Sequence, residues 1–525
     1  MSFDVIVIGS GFGGAITACR LQQKGYRVLV LERGRRWDKR NFPRTPDDPW
    51  IWDSDKPEHC NGWLELRTFP HMSVAVGAAV GGGSLIYANV SCEAPPWRFA
   101  KGWPPEITYD ELKPHYDTVK TFMDVREVPD NQWTPRMRLM KEAAENIGVG
   151  GKFRKLELAV TFDEAFTYDA LSKGVDASVS RLNVHGAEQG TCVHLGNCDI
   201  GCDVHAKNTL DRNYLFVAER SGAEVRGLTL VTNIEPLANG VYRVHFDRLE
   251  DGDRIPGTET APLVIVAAGS LGSTELLLRC RDITGSLPNL SPFLGRGWSS
   301  NGDFLTPALY ASRDVRATVG PTIASAIDFY DGNAEATFWI QDGGVPNLTA
   351  DYLSRKAGDP KTGFEAKVLL ASMQAILRRD DPLRGVMPWF AQGVDAADGV
   401  LSLQPRSEFD ERLRLHLDWD IGRSKEVIDA IVAMHQRLSR ATGGEPIVPP
   451  TWTLFKDLIT PHPLGGCNMG GDAATGVVDH AGRVFGYPGL YVADGAIVPE
   501  AVGVNPSRTI GALAERIASL IAARG

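Results

Sequence analysis

A glycine-rich segment near the amino terminus constrains the fold more strongly than any other part of the sequence. Residues 9–14 have the sequence GSGFGG, after the apolar run Val5–Ile8 and before the helix-like stretch Ala15–Lys24. A second apolar run, Arg27–Leu31, ends in Glu32. This order of strand, glycine loop, helix and strand, with an acid about 20 residues beyond the motif, is the context in which G-x-G-x-x-G binds a dinucleotide. The sequence therefore predicts a βαβ unit within a nucleotide-binding domain.

The chemistry of dinucleotide binding explains the residue types of this motif. Glycines allow the backbone to approach a pyrophosphate, and the first turn of the helix supplies free N–H groups and a positive dipole. Glu32 is positioned to accept a hydrogen bond from a ribose hydroxyl. The motif alone does not separate NAD from FAD, because both present an adenosine diphosphate to the same loop. A tight turn without a ligand is the alternative, and the complete strand–helix–strand context disfavours it.

Three further parts of the sequence favour FAD. Residues 77–89 (GAAVGGGSLIYAN) form a glycine-dense loop in which Gly81–Gly83 leave room for a flat ring beside the backbone. The run Leu263–Ala268 predicts a buried strand, and Thr274–Arg279 predicts a helix after it. Residues 489–495 predict another strand, which ends in an Asp-Gly pair suited to holding a ribityl or pyrophosphate group.

A histidine in a loop rich in proline and glycine is the candidate for proton chemistry. Of the 11 histidines, His462 is the one that lies in such a loop, Thr460–Gly466, which can direct a side chain into a cleft. Oxidation of an alcohol by a flavin removes a hydride from carbon, so another group must take the hydroxyl proton. An ordinary surface or core histidine is the alternative at this point.

Asn505 and Pro506 precede the helix-like run Thr509–Ala523. Asparagine accepts hydrogen bonds from free N–H groups of a first helical turn, and proline needs no donor there, so the pair predicts a helix N-cap and its following residue. A helix that begins beside a flavin would also stabilise negative charge on the reduced ring. From the residues alone, a plain helix cap and a role at the reacting centre both remain open.

Taken together, four segments resemble the glucose-methanol-choline (GMC) family of flavin oxidoreductases. GSGFGG, the GGGS loop that ends in Asn89, HPLGGC and VNPSRTI occur in the family's order. The likeness is strongest over residues 1–90 and 455–524, recognisable over 198–278, and weak over 306–450. Within the family it is greatest to the bacterial cholesterol oxidase-like enzymes that bind FAD without a covalent bond.

The resemblance implies FAD as a non-covalent cofactor, since Ala88 and Asn89 stand where covalently flavinylated members have a nucleophile. It implies that His462 takes or orients the hydroxyl proton and that Asn505 contacts the reacting centre. The cofactor-binding residues that it implies are Gly9, Gly11, Phe12, Gly13, Gly14 and Glu32 for the adenosine diphosphate, Ile234 near the adenine, and Gly82, Ser84, Asn89, Asp494, Gly495, Asn505 and Pro506 near the flavin.

The expected fold class is α/β, with an α+β character overall. It combines a Rossmann-like FAD-binding domain, built on a parallel sheet, with a substrate-binding domain that contains a mixed sheet backed by helices. The predicted limits are 1–40, 206–305 and 455–525 for the first domain, with the flavin-contacting loop 77–89 inserted, and 41–205 and 306–454 for the second. The predicted elements of the second domain are strands Ala336–Gln341, Val400–Leu403 and Leu413–Leu417 and helix Lys425–Arg440.

The expected substrate is an apolar alcohol, sterol-like, aromatic or long-chain, and molecular oxygen or another acceptor takes the electrons. By alternation Trp339 and Gln341 share one face of a strand and could line a substrate wall; ordinary sheet residues are the alternative. Two other functions remain open: a GMC enzyme of non-alcohol chemistry, such as elimination or decarboxylation, and a binding protein that uses the fold without flavin. His462, Asn505 and the glycine loop favour an enzyme over the binding protein.

Bulk properties argue against several other classes of protein. A net charge of −10 without a basic tract disfavours a nucleic-acid partner. The first strand begins close to Met1 and no apolar run is long enough to span a bilayer, so we expect neither a signal peptide nor a membrane span, and a cytoplasmic location. Cys192, Cys198 and Cys202 are not spaced like the paired ligands of structural zinc, so we expect thiols and no metal.

Overall fold

The computed structural model describes residues 3–45, 47–330, 337–346, 383–407 and 409–524. In these residues the helices are α1 Phe12–Gln23, α2 Tyr109–Phe122, α3 Pro135–Asn146, α4 Tyr214–Arg220, α5 Gly269–Asp282, α6 Lys425–Ala441 and α7 Ser507–Leu520. The strands are β1 Val5–Ile8, β2 Val28–Leu31, β3 Leu64–Phe69, β4 Met72–Gly77, β5 Phe153–Lys155, β6 Arg181–Leu182, β7 Glu188–Gln189, β8 Glu224–Arg226, β9 Thr229–Pro236, β10 Tyr242–Glu250, β11 Asp253–Ala261, β12 Leu263–Val266, β13 Arg296–Trp298, β14 Phe304–Leu309, β15 Ser325–Asp328, β16 Phe338–Asp342, β17 Val386–Gly393, β18 Gly399–Ser407, β19 Asp410–Asp418, β20 Glu445–Pro446, β21 Leu458–Thr460 and β22 Leu490–Val492.

A five-stranded sheet in the order β22-β12-β1-β2-β8 carries the dinucleotide motif. Its neighbouring strands are parallel, and every residue of β1 and β2 is buried. Parallel sheets are covered on both faces, which explains why these strands are continuous runs of valine, isoleucine and leucine. Helix α1 packs against α4 and α7. The prediction of a Rossmann-like domain built on a parallel sheet is confirmed.

The predicted elements of this domain occur with shifted ends. β1 has the predicted limits, and β2 begins one residue later than predicted. Helix α5 begins at Gly269, well before the predicted Thr274. Its first turn is stabilised by Asp494, which accepts hydrogen bonds from the Gly269 N–H at 2.7 Å and the Ser273 hydroxyl at 2.6 Å. A carboxylate just beyond the end of β22 thus extends the helix, and the local sequence around Gly269 does not indicate it.

A six-stranded sheet in the order β20-β14-β17-β16-β15-β5 forms the second layer. Each neighbouring pair among these strands is antiparallel, so the prediction of a mixed sheet is wrong. Only residues 329–337 join β15 to β16, and so short a connection can join only antiparallel neighbours. Helices α3 and α6 pack against the sheet, as the prediction of backing helices requires.

The strands predicted around residue 400 are longer than expected. β18 and β19 extend the predicted Val400–Leu403 and Leu413–Leu417 in both directions and pair antiparallel with each other. They form a separate three-stranded sheet with β13. Helix α6 begins at the predicted Lys425. Strand β16 covers most of the predicted Ala336–Gln341, of which Ala336 lies outside the described residues.

The sheets agree with the predicted division of the chain, with one exception. The strands of the parallel sheet fall within 1–40, 206–305 and 455–525. Strand β14 of the six-stranded sheet, Phe304–Leu309, crosses the predicted boundary at residue 305. The domain limits themselves stay a prediction. In the part of the chain that is described, no helix is both long and apolar enough to cross a membrane.

Candidate active site

Glycines hold the dinucleotide loop against the ends of two neighbouring strands. A Cβ atom on Gly9 would lie 2.3 Å from the carbonyl oxygen of Ala267, which follows β12. A Cβ on Gly13 would lie 1.7 Å from the carbonyl oxygen of Ala493, which follows β22, and one on Gly14 would lie 2.0 Å from that of Gly9. No side chain fits at such distances. The motif therefore brings together the carboxyl ends of β1, β12 and β22, the edge at which open α/β sheets bind ligands.

Gly11 differs from these glycines, because a Cβ at this position would meet no protein atom within 4 Å. Gly11 is the N-cap of α1 and has an extended backbone. Open space in front of the free N–H groups of a helix N-terminus fits a pyrophosphate. Phe12 follows, half-buried, and its ring packs edge-on against Tyr87 with 5.6 Å between the centroids.

Glu32 is buried, and its carboxylate is bound to the loops around it. Oε2 accepts hydrogen bonds from the N–H of Ser10 at 2.9 Å and from its hydroxyl at 2.6 Å, and Oε1 accepts from the N–H of Gly34 at 2.9 Å. Burial raises the pKa of Glu32, and these hydrogen bonds oppose the shift. Because a carboxylate oxygen can accept more than one hydrogen bond, a ribose contact is compatible with this arrangement. That contact stays a prediction.

The second glycine loop lies directly on the first. A short 3-10 helix, Gly82–Leu85, follows Gly81, whose φ is +103°. A Cβ on Gly82 would lie 2.6 Å from the Cα of Gly11, so the two backbones touch. The Ser84 hydroxyl donates to the carbonyl of Gly81 at 2.7 Å and accepts from the N–H of Leu210 at 3.1 Å. Ser84 therefore shapes the loop, and its predicted contact with flavin stays a prediction.

Asn89 ends this loop with an unusual combination of properties. It is fully buried and has a φ of +68°. Neither its Nδ2 nor its Oδ1 has a hydrogen-bond partner in the protein. A buried amide without partners costs free energy, so such a group is expected to bind a ligand. The donor and acceptor of Asn89 fit the polar edge of a flavin ring.

Asp494 uses both carboxylate oxygens inside the protein. Oδ2 accepts the two hydrogen bonds from the first turn of α5, and Oδ1 accepts from the N–H of Ala496 at 2.8 Å. Burial raises the pKa of Asp494, and the hydrogen bonds oppose the shift. A Cβ on the next residue, Gly495, would lie 3.5 Å from the carbonyl oxygen of Pro463. The Asp-Gly pair therefore packs the loop of His462 against the end of β22, and its contact with the cofactor stays a prediction.

His462 is held by an acidic residue that is distant in sequence. Its Nδ1 lies 2.9 Å from both carboxylate oxygens of Asp303. The hydroxyl of Thr460 lies 2.5 Å from Oδ2 of Asp303 and accepts the His462 backbone N–H at 2.9 Å. Burial raises the pKa of Asp303, and the charge of His462 opposes the shift. Asp303 is 1% exposed, whereas 16% of the His462 side chain is exposed. One edge of the imidazole is therefore fixed and the other is accessible.

Asn505 is buried beside the start of α7, where it does not cap the helix. The helix begins at Ser507, and no side chain caps its first turn, so the N-cap prediction for Asn505 is wrong. The physical reason is that its Oδ1 accepts a hydrogen bond from Nε2 of Gln341 at 2.7 Å. With its acceptor engaged, Asn505 has its Nδ2 group to offer to a ligand. Pro506 directly precedes the helix, and its flavin contact stays a prediction.

The two candidates for a substrate wall, Trp339 and Gln341, are both buried on β16. Gln341 donates to Asn505, and its Oε1 has no partner. The indole N–H of Trp339 donates to Oε1 of Gln392 on the neighbouring strand β17. The structure thus brings Gln341 to the site, with Trp339 two residues earlier on the same strand. Contact of either residue with a substrate stays a prediction.

Sequence reasoning missed two residues of the turn Ser299–Asp303. Asp303 binds His462, and Asn301 binds the backbone just before Asn505. The Asn301 amide accepts the N–H of residue 503 and donates to the carbonyl of residue 504, both at 2.9 Å. The sequence marks this segment only as an Asn-Gly turn. No local pattern links an aspartate to a histidine 159 residues later.

Ile234 is not brought together with the other predicted residues. It is buried on β9, and its N–H donates to the sulfur of Cys280 at 3.3 Å. Thr229, five positions earlier on the strand, donates its N–H to the carbonyl of Glu32. At about 3.3 Å per residue, Ile234 lies roughly 16 Å further along β9. Its contact with adenine stays a prediction.

The cysteine-rich segment contains free thiols. None of the eight cysteines forms a disulfide. Burial raises the pKa of both Cys192 and Cys202, and the sulfur of Cys202 accepts the N–H of Ala206 at 3.2 Å. Within the described ranges, no cluster of three or more histidine, cysteine or acidic side chains has the geometry of a metal site.

Comparison with known proteins identifies the family. Two sequence profiles, both described as GMC oxidoreductase, match residues 4–281 and 395–514. The chain belongs to the GMC oxidoreductase family, whose members are FAD-binding flavoproteins. It is an FAD-dependent oxidoreductase that acts on CH–OH groups.

Individual relatives agree with this assignment over nearly the whole chain. A cholesterol oxidase of Acinetobacter baumannii is 32% identical, over 99% of this chain and 95% of its own length. A cholesterol oxidase of Mycobacterium tuberculosis is also 32% identical, over 99% of this chain and 91% of its own. Among solved structures, pyridoxine 4-oxidase from Mesorbium loti superposes with a TM-score of 0.63 at 17% identity, over 100% of both chains, and supports the fold.

We expect Gly11→Ala to weaken FAD binding without weakening the apoprotein. The added methyl group meets no protein atom within 4 Å but enters the space predicted for the pyrophosphate. At least tenfold weaker affinity, about 1.4 kcal/mol, should appear in a fluorescence titration of the apoprotein with FAD. The thermal unfolding midpoint of the apoprotein should be unchanged.

Gly151→Ala is the matched control for this variant. It also meets no atom within 4 Å and lies in a different part of the chain, so it should change neither quantity. Wild-type FAD affinity in Gly11→Ala would contradict the placement of the pyrophosphate at this glycine.

Proposed function

We propose that the protein binds FAD without a covalent bond and uses it to oxidise an apolar alcohol to the corresponding carbonyl compound. The observation that carries the proposal is the imidazole of His462, fixed through Nδ1 by a buried carboxylate and accessible at its other edge. It lies in the loop that packs against the end of β22, at the edge of the sheet to which the dinucleotide motif belongs. A base in this position suits the removal of a hydroxyl proton.

The residues at this edge of the sheet fit FAD. Gly11 leaves space before the N-terminus of α1, and Asn89 has an amide with no partner in the protein. When bound, FAD supplies the acceptor for the hydride. The residues that we propose to hold it are Gly9, Gly11, Phe12, Gly13, Gly14, Glu32, Gly82, Ser84, Asn89, Ile234, Asp494, Gly495, Asn505 and Pro506.

His462 and Asn505 have different roles at the substrate oxygen. Nε2 of His462 accepts the hydroxyl proton, and the resulting imidazolium is stabilised by the carboxylate of Asp303. Asn505 donates from Nδ2 to the same oxygen, because its Oδ1 is bound to Gln341. The N-terminus of α7, which follows Asn505, favours negative charge next to it through its dipole.

An apolar substrate is proposed from the relatives and from the composition of β16. The two cholesterol oxidases at 32% identity support a sterol-like alcohol. Trp339 offers apolar surface on the face of β16 that it shares with Gln341. Aromatic and long-chain alcohols fit the same chemistry. Oxygen or another acceptor would reoxidise the enzyme, and the cytoplasmic location stays a prediction.

We expect His462→Ala to retain FAD and to lose alcohol oxidation by about 10²-fold or more, the usual scale for removing a general acid–base group. The measurement is kcat/KM for the alcohol that the wild type oxidises fastest, at equal flavin content. His59→Ala, which changes an exposed histidine, is the matched control and should keep wild-type activity. Unchanged kcat/KM in His462→Ala would exclude His462 as the proton acceptor.

We expect acid precipitation to release the flavin into solution. Ala88 and Asn89 offer no nucleophile that could form a covalent bond to the ring. The measurement compares the visible absorbance of the supernatant and of the redissolved pellet with the flavin content before precipitation. Flavin that remains in the pellet would contradict non-covalent binding.

A further inference from the structure

We propose that Asp303 is a positioning residue, which fixes the tautomer of His462 and holds the charge of the imidazolium. This inference rests on the proposed function, because it concerns the proton that His462 takes from the substrate. It adds a residue that lies 159 positions earlier in the chain than His462. The imidazole and this carboxylate act as one unit.

The geometry fixes which ring nitrogen carries the proton. Both carboxylate oxygens of Asp303 lie 2.9 Å from Nδ1 of His462. An ionised carboxylate can only accept hydrogen bonds, so Nδ1 of the neutral ring must be the donor. Nε2 then carries a lone pair. Only this tautomer can accept a proton at the accessible edge of the ring.

His462 accepts the proton in this step, and Asp303 compensates the charge that the proton brings. The O–H bond of the alcohol breaks and an N–H bond forms at Nε2 of His462; bound FAD would accept the hydride from the carbon, and the C=O bond forms. The imidazolium carries a positive charge, and Asp303 carries the opposite charge on its other side. When both side chains are ionised, their charges cancel. This lowers the free-energy cost of forming an imidazolium in a partly buried site.

The carboxylate is itself held in place by its neighbours. Oδ2 of Asp303 lies 2.5 Å from the Thr460 hydroxyl, which is also 2.9 Å from the carbonyl of Ser300. Asp395 accepts hydrogen bonds from the Ser299 hydroxyl at 2.7 Å and from the N–H and hydroxyl of Ser300 at 2.8 Å each. These bonds leave Asp303 little freedom to turn away from His462.

The same turn also positions Asn505. Asn301 binds the backbone of residues 503 and 504, directly before Asn505, by the two hydrogen bonds of 2.9 Å. Asn301 has a φ of +58° and the next residue, Gly302, has a φ of +61°. These two left-handed residues direct the Asn301 side chain to residues 503 and 504 and the Asp303 side chain to His462. One turn therefore sets the relative position of His462 and Asn505.

The charges around the pair set its response to pH. Burial has the largest effect on Asp303 and raises its pKa; His462 opposes the shift, and Asp395 adds to it. Tyr330 is half-buried, and the charge of Asp303 contributes to its raised pKa. Protonation of Asp303 would remove the acceptor for Nδ1 and the charge opposite the imidazolium, so kcat/KM should fall on the acid side as this carboxylate binds a proton. In Asp303→Asn this acid limb should be absent, and the plateau should be lower by about 10²-fold.

The direct test reads the tautomer of His462 in the FAD-loaded protein, without a substrate. The protein is labelled with 15N-histidine, and the His462 signals are assigned by their absence in His462→Gln. We expect the 15N shifts of the neutral ring to show a protonated Nδ1 and an unprotonated Nε2 in the wild type. Asp303→Asn should lose this preference. Because no alcohol is present, the result stands even if the proposed reaction fails.

Asp395→Asn is the matched control, since it removes a buried carboxylate that accepts hydrogen bonds from the same turn and is not bonded to His462. It should lower the thermal unfolding midpoint and leave the tautomer of His462 unchanged. A proton on Nε2 in the wild type, or the same tautomer in Asp303→Asn, would overturn the proposal. If Asp303→Asn does not fold, the wild-type spectrum alone decides.

Discussion

The candidate site depends on close backbone contacts between chain segments that are far apart in sequence. A Cβ on Gly13 would lie 1.7 Å from the carbonyl oxygen of Ala493, and one on Gly82 would lie 2.6 Å from the Cα of Gly11. These contacts stack the second glycine loop on the first and bring the end of β22 to the first. A ligand held there meets N–H groups and a helix N-terminus at short range, with few side chains between. Chemistry and binding are thereby confined to one edge of the parallel sheet.

Buried polar side chains then give this edge its specificity. Asp303 and Gln341 each use a hydrogen bond to orient one residue of the proposed reaction, His462 and Asn505 respectively. In each case the hydrogen bond engages one polar atom of the oriented side chain, Nδ1 of His462 or Oδ1 of Asn505, and leaves its other polar atom for the ligand. Asn89 shows the complementary case, since both ends of its amide lack a partner in the protein. A polar ligand is the simplest way to satisfy such a group.

The sequence predicts the parts of this arrangement that local patterns encode. The runs Val5–Ile8 and Arg27–Leu31 and the glycines between them predict the βαβ unit almost residue by residue, because burial on both faces selects continuous apolar strands. The family resemblance adds His462 and Asn505. Predictions from local patterns are wrong where a residue distant in sequence competes for the same hydrogen bond. Asn505 has the sequence context of an N-cap, yet its Oδ1 accepts a hydrogen bond from Gln341 instead of from the helix.

Contacts between distant segments are the part that the sequence does not predict. Asp303 lies in an ordinary turn, and only the fold brings it to His462. The direction of neighbouring strands is also a tertiary property, so the six-stranded sheet is antiparallel where a mixed sheet is predicted. Gly269 begins α5 because Asp494, more than 200 residues later, accepts its N–H. Each of these errors concerns a partner outside the local pattern.

Anaerobic mixing of the purified yellow protein with a panel of sterol, aromatic and long-chain alcohols tests most directly whether this site oxidises apolar alcohols with FAD. We expect at least one of the alcohols to bleach the visible flavin absorbance and to be recovered as the carbonyl compound. Admission of air or of an artificial acceptor should then restore the colour. Flavin that is reduced by dithionite and by none of the alcohols would contradict the proposed oxidation of apolar alcohols.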